Sequence, residues 1–477
     1  MSDNSDKYKY LAKNIGLLML SSFATKLLSF FLVPLYTNIL TTTEYGISDL
    51  FRATIGILIP ILTVNIQESV LRFSLDGKYD KQSVLSVGMR YLLIGLVVVI
   101  VLLGINNIFG FYDLLSTYAM YFFLMFFSQV LSGIMLAYIR GINRIADLSF
   151  SSVINSLVII ICNILFLVVF RWGLIGYFLA NIIGPFVQCI YIIVRAKVFE
   201  DVRFGNIDPD VSKEMTTYSR PLIVNSIGWW INNAADKYVV IYFLGMAANG
   251  IYSVAGKIPS ILNIFQSIFA QAWTLSAVKD YDPDDKNGFF AKTYATYNCM
   301  MTVGCSALIV ANKMLARILY AKDFYVAWQY VPWLTVAIVF GSLSGYIGGF
   351  FSAVKNSKIF GQSTLIGAVC NVVLNFTLTP RIGAMGAAIA TAVSYVIVWM
   401  FRLVHSRKYI KLRIRLVRDC ITYVVLVTQT VVLLVMDGRI MYTIEIGMFV
   451  GIVILYIKDF RLVTDKIKTV VRKRIHS

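Results

Sequence analysis

Long apolar stretches separated by short polar ones run along almost the whole chain. Most are about 20 residues long, the length that an α-helix needs to cross a bilayer while satisfying its own backbone. We predict an all-α, polytopic membrane protein with about 14 transmembrane helices, although a division into about 12 would also leave both ends on one side. The predicted segments are 11–36, 45–71, 84–109, 114–139, 148–170, 173–195, 217–244, 248–275, 290–311, 330–353, 360–380, 383–404, 418–436 and 440–457.

Four cations lie well inside these apolar segments. Lys26 and Arg52 belong to the first two segments, and Lys237 and Lys257 belong to the seventh and eighth, about 210 residues later. A charge at bilayer depth costs roughly 2.5–3.5 kcal/mol on insertion scales, so such side chains normally face a wet interior rather than lipid. The repeated arrangement therefore predicts a positively charged cavity between two halves of the chain.

A second pattern recurs at the same spacing and supports an internal repeat. The glycine-containing turn 171–176 has a counterpart in 381–386, and Asn163 corresponds in depth to Asn375. We predict two pseudo-symmetric six-helix lobes and two additional C-terminal helices. The predicted divisions are an N-terminal lobe at 1–198, a cytoplasmic linker at 199–216, a C-terminal lobe at 217–405, and a basic loop, two transmembrane helices and a basic tail at 406–477.

Two carboxylates accompany the buried cations. Asp49 lies one turn before Arg52, and Asp236 immediately precedes Lys237. These residues indicate either coupling of transport to H⁺ or Na⁺, or simple neutralisation of Lys26 or Arg52 by Asp49 and of Lys257 by Asp236. Each alternative is compatible with the pattern.

Composition and charge narrow the class further. Of the 477 residues, 58% are hydrophobic and only 14% are charged, and the mean hydropathy is +0.75. The net charge of +18 is distributed unevenly, because about 33 of the 43 lysines and arginines fall on the predicted cytoplasmic side. We therefore interpret the basic stretches 402–418 and 458–474 as topology signals and anionic-lipid contacts, and we expect no nucleic-acid partner. Glu445, in the last segment, is expected to be interfacial.

The chain lacks the residues that an enzyme of this size would use. It has no glycine-rich phosphate loop, and its two histidines, His405 and His476, lie in basic stretches far in depth from the buried polar groups. The six cysteines occur in apolar segments without a metal-binding or disulfide spacing. We predict a non-enzymatic membrane protein without cofactor or metal, inserted in the cytoplasmic membrane of a bacterium or archaeon with both termini in the cytoplasm.

The opening of the chain resembles a known family. Asn14-Ile-Gly, the run from Lys26 to Pro34-Leu-Tyr, and Glu44-Tyr-Gly46 are similar to the start of polysaccharide-export flippases of the MOP superfamily, which include O-antigen and capsule repeat-unit flippases. The resemblance implies a V-shaped pair of lobes with alternating access. It also implies a cationic cavity for a polyprenyl-pyrophosphate-linked oligosaccharide, lined here by the matching residues Lys26, Arg52, Lys237 and Lys257.

The residues themselves also favour an anionic substrate, because arginine forks onto phosphate oxygens and lysine supplies a point charge. Trp229, Asn232, Tyr252 and Gln271 are candidate sugar contacts, with helix packing as the alternative for the aromatic ones. Membrane lipids, a polysaccharide polymerase and glycosyltransferases are the expected partners. There are three alternatives. A lipid II flippase is disfavoured because the cations of the first helix are only lysines, and a MATE-type cation exporter is disfavoured by the positive cavity. The third alternative is a nontransporting scaffold or scramblase.

Overall fold

The computed structural model describes residues 30–76, 78–198, 208–279, 281–354 and 357–457. The regular secondary structure of these ranges is helical, and they contain no β-strand. The helices are α1 Val33–Ile39, α2 Thr42–Leu62, α3 Ile66–Asp76, α4 Lys81–Phe109, α5 Asp113–Thr117, α6 Ala119–Gly141, α7 Ile145–Asn163, α8 Gly173–Ala196, α9 Pro209–Ala255, α10 Ser260–Lys279, α11 Phe289–Leu319, α12 Val331–Ala353, α13 Ser357–Ile382, α14 Ala384–Ser406, α15 Leu416–Val435 and α16 Gly438–Leu455.

Within the described ranges, 12 helices are long and apolar enough to cross a membrane. They coincide with predicted segments, so the prediction of a polytopic all-α membrane protein is confirmed. Most of the first predicted segment, including Lys26, lies outside the described residues. The eighth segment is interrupted at 256–259, where a turn separates the end of α9 from α10.

The 47-residue helix α9 contains a sharp break. Gly245 adopts φ 85° and ψ 178°, a conformation that residues with a Cβ rarely adopt. The two arms of α9 therefore correspond to two successive predicted segments rather than to one long helix. This break returns the chain toward itself and brings residues 236 and 252 together, as described below.

Internal packing divides the chain into two units, Met1–Ala234 and Ala235–Ser477. In the first unit, Phe51 of α2 stacks on Phe178 of α8 with ring centroids 5.3 Å apart. In the second unit, Trp273 of α10 stacks on Tyr346 of α12 at 3.9 Å and donates a hydrogen bond to the Tyr346 carbonyl. The division falls inside α9, and the predicted domain boundaries, with a linker at 199–216, remain a prediction.

Each unit contains a helical hairpin with the same glycine spacing. Gly173 and Gly383, with φ 52° and 66°, precede or begin the second helix of each hairpin. Three residues later, a Cβ at Gly176 would lie 2.9 Å from the Phe166 side chain, and one at Gly386 would lie 2.5 Å from the Leu378 carbonyl carbon. Glycine at these positions allows the two helices of each hairpin to approach closely.

The two C-terminal helices, α15 and α16, pack against each other and against α11 of the second unit. This packing corrects two interpretations of the sequence. Glu445 of α16 is fully buried rather than interfacial, and Arg402, expected in a cytoplasmic basic stretch, is only 4% exposed. Both errors arise because hydropathy along one helix does not reveal which of its faces a neighbouring helix covers.

Candidate functional site

Arg52 lies on α2 in the first unit, where two groups of α8 hold its guanidinium. Its Nη2 donates a hydrogen bond to Asn181 Oδ1 at 2.6 Å, and its guanidinium carbon lies 5.0 Å from the centre of the Tyr177 ring. Asn181 is oriented in turn by its own bond to the Tyr177 carbonyl, at 2.7 Å. The buried stacking of Phe51 on Phe178 fixes the two helices at this level.

The start and end of α2 explain why Arg52 is positioned rigidly. Thr41 and Glu44 form a reciprocal capping box at its N-terminus, which satisfies otherwise unpaired backbone donors. After Pro60 the helix ends, and Val64 and Asn65 adopt positive φ values of 53° and 51° before α3 begins. The predicted second segment is thus two helices, with Arg52 on the longer one.

A tryptophan from α9 also contacts α2 within the first unit. The Trp230 indole nitrogen donates a hydrogen bond to the carbonyl of Ala53 at 2.7 Å. Gly56, one turn later, faces the same ring, because a Cβ there would lie 3.7 Å from it. Trp230 therefore packs against the turn that carries Arg52, whereas its neighbour Trp229 is 47% exposed.

In the second unit, Asp236 and Tyr252 form the central polar contact. The Tyr252 hydroxyl donates to Asp236 Oδ2 at 2.7 Å, and the backbone N–H of Lys237 donates to Asp236 Oδ1 at 2.9 Å. Tyr252 is buried, with 3% of its surface exposed. The two residues are 16 positions apart and meet because Gly245 breaks α9 between them.

Lys257 lies in the turn between α9 and α10. Its backbone N–H donates to the Val254 carbonyl at 2.9 Å, and its own carbonyl accepts from Ser260 Oγ at 2.6 Å. Tyr320, which directly follows α11, holds the turn, because its buried hydroxyl lies 3.5 Å from the Ala255 carbonyl and accepts from the Ile258 N–H at 3.4 Å. The lysine is half-buried at a point where no regular helix covers its backbone.

The other predicted site residues are only partly characterised by the structure. Asn232 donates to the Gly228 carbonyl at 2.9 Å, and Asp49 is half-buried one turn before Arg52. Lys26 and the side chain of Gln271 lie outside the described part of the chain. The roles assigned to the cations, the carboxylates and the sugar-contact residues remain predictions.

Comparison with known proteins places the chain in a family. A family model described as "Polysaccharide biosynthesis protein" matches residues 11–274, more than half of the sequence and the part that carries the four cations predicted to line a cavity. The chain belongs to the polysaccharide biosynthesis protein family.

Among curated proteins, this family member is similar to a probable low-salt glycan biosynthesis flippase, Agl15, of Haloferax volcanii. The two are 22% identical over 191 residues, which cover 39% of this chain and 40% of the flippase. The match thus spans less than half of that relative's own length.

Two solved structures show the fold of this family member. An inward closed conformation of the lipid II flippase MurJ superposes with a TM-score of 0.70 at 16% identity, covering 92% of this chain and 98% of that one. An inward-facing multidrug resistance MATE transporter of the MOP superfamily superposes with a TM-score of 0.65 at 15% identity, covering 81% and 95%. The chain therefore shares the fold of these two structures.

Sequence reasoning missed the burial of two cations in this family member, Lys313 and Arg402. Arg402 of α14 donates from Nε to Ser363 Oγ at 2.8 Å, from Nη1 to the Ser344 carbonyl at 2.9 Å and from Nη2 to Thr364 Oγ1 at 3.1 Å. Its guanidinium also lies 4.2 Å from the centre of the Phe360 ring. The residue joins three helices, and its position inside the predicted segment 383–404 was the one sequence signal for its burial.

The candidate site residues that the structure describes offer cationic and hydrogen-bonding groups. Among them, no three histidine, cysteine or acidic side chains lie close enough to hold a metal ion. Arg52 makes one hydrogen bond through a single nitrogen, while its planar fork can donate to additional oxygens. Such a group binds an anion without changing it covalently.

Proposed function

We propose that this chain is a flippase that moves a polyprenyl-pyrophosphate-linked oligosaccharide from the cytoplasmic to the outer leaflet. The product would serve the synthesis of a cell-surface polysaccharide such as O-antigen, capsule or exopolysaccharide. The observation that carries the proposal is Arg52, a half-buried guanidinium held by Asn181 and Tyr177 on a membrane helix. Membership of the polysaccharide biosynthesis family and the transporter fold support the same class of function.

The proposed binding chemistry follows from the charge of the substrate. A pyrophosphate presents several acceptor oxygens, which a guanidinium binds through parallel hydrogen bonds and an ammonium binds as a point charge. Lys26, Lys237 and Lys257 are proposed to act with Arg52, and low local polarity would strengthen each contact. We assign Trp229, Asn232, Tyr252 and Gln271 to the sugar units, and the prenyl tail would stay in lipid.

The proposed cycle is alternating access without covalent chemistry, in the cytoplasmic membrane and with both termini in the cytoplasm. A potential that is negative inside favours outward movement of an anionic head group by about 2.3 kcal/mol per charge per 100 mV. Asp49 and Asp236 are proposed either to couple H⁺ or Na⁺ or to balance the cations. A polymerase and glycosyltransferases would use and supply the lipid-linked glycan.

Native mass spectrometry of the purified full-length protein tests this proposal. We expect the wild type to retain a polyprenyl-pyrophosphate glycan and the double variant Arg52→Ala/Lys257→Ala to lose it. A matched double variant, Arg90→Ala/Lys408→Ala, removes two exposed cations and should retain the lipid. The mass of the glycan identifies the substrate, and a peptide-bearing disaccharide would indicate a lipid II flippase instead.

Two results would contradict the proposal. Equal retention of the lipid by wild type and the Arg52→Ala/Lys257→Ala variant would exclude these cations as the binding groups. Retention of a cationic or neutral ligand instead of a pyrophosphate lipid would point to a MATE-type exporter. Reconstitution in vesicles with a labelled polyprenyl-pyrophosphate sugar then separates a flippase from a scaffold, because only a flippase moves the label between leaflets.

A further inference from the structure

The C-terminal helices contain a buried acid that the proposed binding site does not use. Glu445 of α16 has no exposed surface, and neither of its carboxyl oxygens has a hydrogen-bond partner among the described residues. It lies in the middle of a membrane-spanning helix that packs against α15 and α11. A carboxylate in such a place costs several kcal/mol unless it is paired, so the neutral acid is strongly favoured.

The polar side chain beside Glu445, Gln429, forms hydrogen bonds with other groups. Gln429 of α15 donates its side-chain amide to the backbone carbonyl of Glu445 at 3.2 Å and accepts from Ser306 of α11 at 2.8 Å. Both Gln429 and Ser306 are fully buried. Gln429 is neutral, so α15 brings no charge to this level, and its amide donates to the backbone carbonyl of Glu445 in this conformation.

One cation lies within reach of Glu445, and it now pairs with a different acid. Lys313 of α11 is 7% exposed, and its Nζ lies 2.6 Å from Asp437 Oδ1 and 3.5 Å from Met441 Sδ. Met441 and Glu445 lie one turn apart on one face of α16, about 6 Å along the helix axis, and Asp437 is the extended residue that directly precedes the helix. Lys313 thus already contacts the residue midway between the two acids.

The two acids differ in how much they need Lys313. The Asp437 side chain is 92% exposed and can keep its charge in water, whereas an ionised Glu445 would have no solvent. An ion pair with so exposed a partner contributes little. On moving toward Glu445, Lys313 would also exchange its contacts with the Met436 carbonyl at 3.5 Å and the centre of the Trp328 ring at 4.5 Å. The other charged pair near these helices, Arg418 with Asp419, is bound to Tyr456 at the opposite end of α16.

We propose that Glu445 is a proton-binding site of the C-terminal helix pair, and that Lys313 is the counter-charge that replaces its proton. In the present conformation Glu445 carries the proton and Lys313 pairs with Asp437. When the proton leaves, Lys313 moves past Met441 toward the Glu445 carboxylate, and Asp437 becomes solvated. Residues 313 and 437 are on the predicted outer side, so the proton would enter from that side, and in the alternating cycle it would leave toward the cytoplasm.

This exchange would make the proton a coupling ion for export. A proton that enters from outside would bind Glu445, and Lys313 would return to Asp437. That the proton is coupled to glycan export rests on the proposed function, whereas proton binding by Glu445 does not. One carboxyl with a single amide neighbour provides too few oxygens for a metal cation, which favours H⁺ over Na⁺. The site would act in addition to the cations that are proposed to hold the head group.

Infrared spectroscopy of the full-length protein in lipid vesicles tests proton binding directly. At neutral pH the wild type should show the C=O band of a protonated carboxylic acid, and Glu445→Gln should lose it. The exposed-acid control Glu68→Gln should keep the band. In Lys313→Met the band should persist to a proton concentration at least about tenfold lower than in the wild type, because no lysine is left to replace the proton of Glu445. Identical spectra of wild type and Glu445→Gln at neutral pH would overturn the proposal.

A transport experiment tests coupling separately. Vesicles holding the full chain and a fluorescent polyprenyl-pyrophosphate disaccharide are given a gradient of one pH unit at zero membrane potential. The wild type should shift the leaflet ratio about tenfold per coupled proton, and Glu445→Gln should shift it less than about twofold. If the probe moves but ignores the pH gradient, or follows a Na⁺ gradient instead, proton coupling is wrong and the proposed function stands. If the probe does not move in any protein, the proposed function fails and the infrared result alone decides the role of Glu445.

Discussion

The two glycine hairpins, α7–α8 in the first unit and α13–α14 in the second, have the same backbone design and different charges. Both place an asparagine, Asn163 or Asn375, fully inside the unit, where it donates to the carbonyl four residues earlier. Both turn at a glycine with positive φ and bring the helices together at a second glycine three residues later. These shared features are the structural counterpart of the repeat in the sequence.

The hairpins differ in which helices supply the cation that their polar side chains bind. In the first hairpin, Asn181 of α8 accepts a hydrogen bond from Arg52 of another helix. In the second hairpin, α14 carries its own cation, Arg402, which bonds to Ser363 and Thr364 of α13 and to α12. The two hairpins therefore share the residues that pack their helices together. Their charged residues, in contrast, stand at different positions. Four predictions test this division.

The largest expected effect concerns Arg402, whose three hydrogen bonds we interpret as structural. Arg402→Leu should lower the free energy of unfolding by about 3–5 kcal/mol. Three hydrogen bonds of about 1.5–3 kcal/mol each are lost together, and removing the guanidinium relieves part of its desolvation cost. Denaturant titration of the purified protein in detergent measures this value. Arg407→Leu removes an exposed arginine nearby and should change it by less than about 0.5 kcal/mol. Equal effects of the two substitutions would show that Arg402 is not structural.

The second prediction compares the close-approach glycines. Gly386→Ala should destabilise the protein by about 2–3 kcal/mol and Gly176→Ala by about 1 kcal/mol, because the added Cβ meets backbone at 2.5 Å in one hairpin and a side chain at 2.9 Å in the other. Gly361→Ala, in open space on α13, should be neutral or stabilising. The same titration measures all three, and a reversed order would mean that the second hairpin relaxes more easily than the first.

The third prediction concerns Arg52, which we place in binding rather than in stability. Arg52→Lys keeps the charge but loses the planar fork, so affinity for a polyprenyl-pyrophosphate lipid should fall about tenfold. Asn181→Ala should weaken binding less, because the arginine remains but is no longer oriented. Exposed Arg220→Lys is the matched control. A normal affinity of Arg52→Lys, measured by titration of the labelled lipid in detergent, would argue against a fork-like contact.

The smallest expected effect lies outside the membrane segments. In the first unit Tyr79 donates to Glu214 at 2.6 Å, whereas in the second Lys411 forms an ion pair with Asp284 at 2.8 Å. The hydrogen bond and charge of Lys411 lower the pKa of Asp284 below its ordinary value. The interaction of ionised Asp284 with Lys411 stabilises the folded protein fully when the pH is above the unfolded-state pKa of about 3.9. This stabilisation is lost as the pH falls through the lower, folded-state pKa.

We therefore expect the wild type to lose a small part of its stability below about pH 4, and Asp284→Asn to lack that component. Thermal unfolding measured from about pH 7 down to about pH 2 gives the difference. The exposed acid Asp323 provides the control, and Asp323→Asn should behave like the wild type. Parallel pH profiles for wild type and Asp284→Asn would show that this exposed pair contributes nothing.

The sequence by itself determined that this is a helical membrane protein, where most of its membrane-spanning helices lie, and which family it belongs to. Length and hydropathy are local properties, so stretches of apolar residues predict the membrane helices. The paired glycines and buried asparagines were also visible, because a repeat appears as equal spacing. Lys26, Arg52, Lys237 and Lys257 stood out because a charge within an apolar run is costly in lipid.

Only the tertiary structure decided which groups meet. Arg52 bonds to a residue 129 positions away, and Asp236 meets Tyr252 through a break at one glycine. The burial of Arg402 and Glu445 depends on which face of each helix a neighbour covers. In a membrane protein, apolar residues face both lipid and protein, so the apolar pattern of a single helix does not identify its buried side. Packing between helices supplies that information.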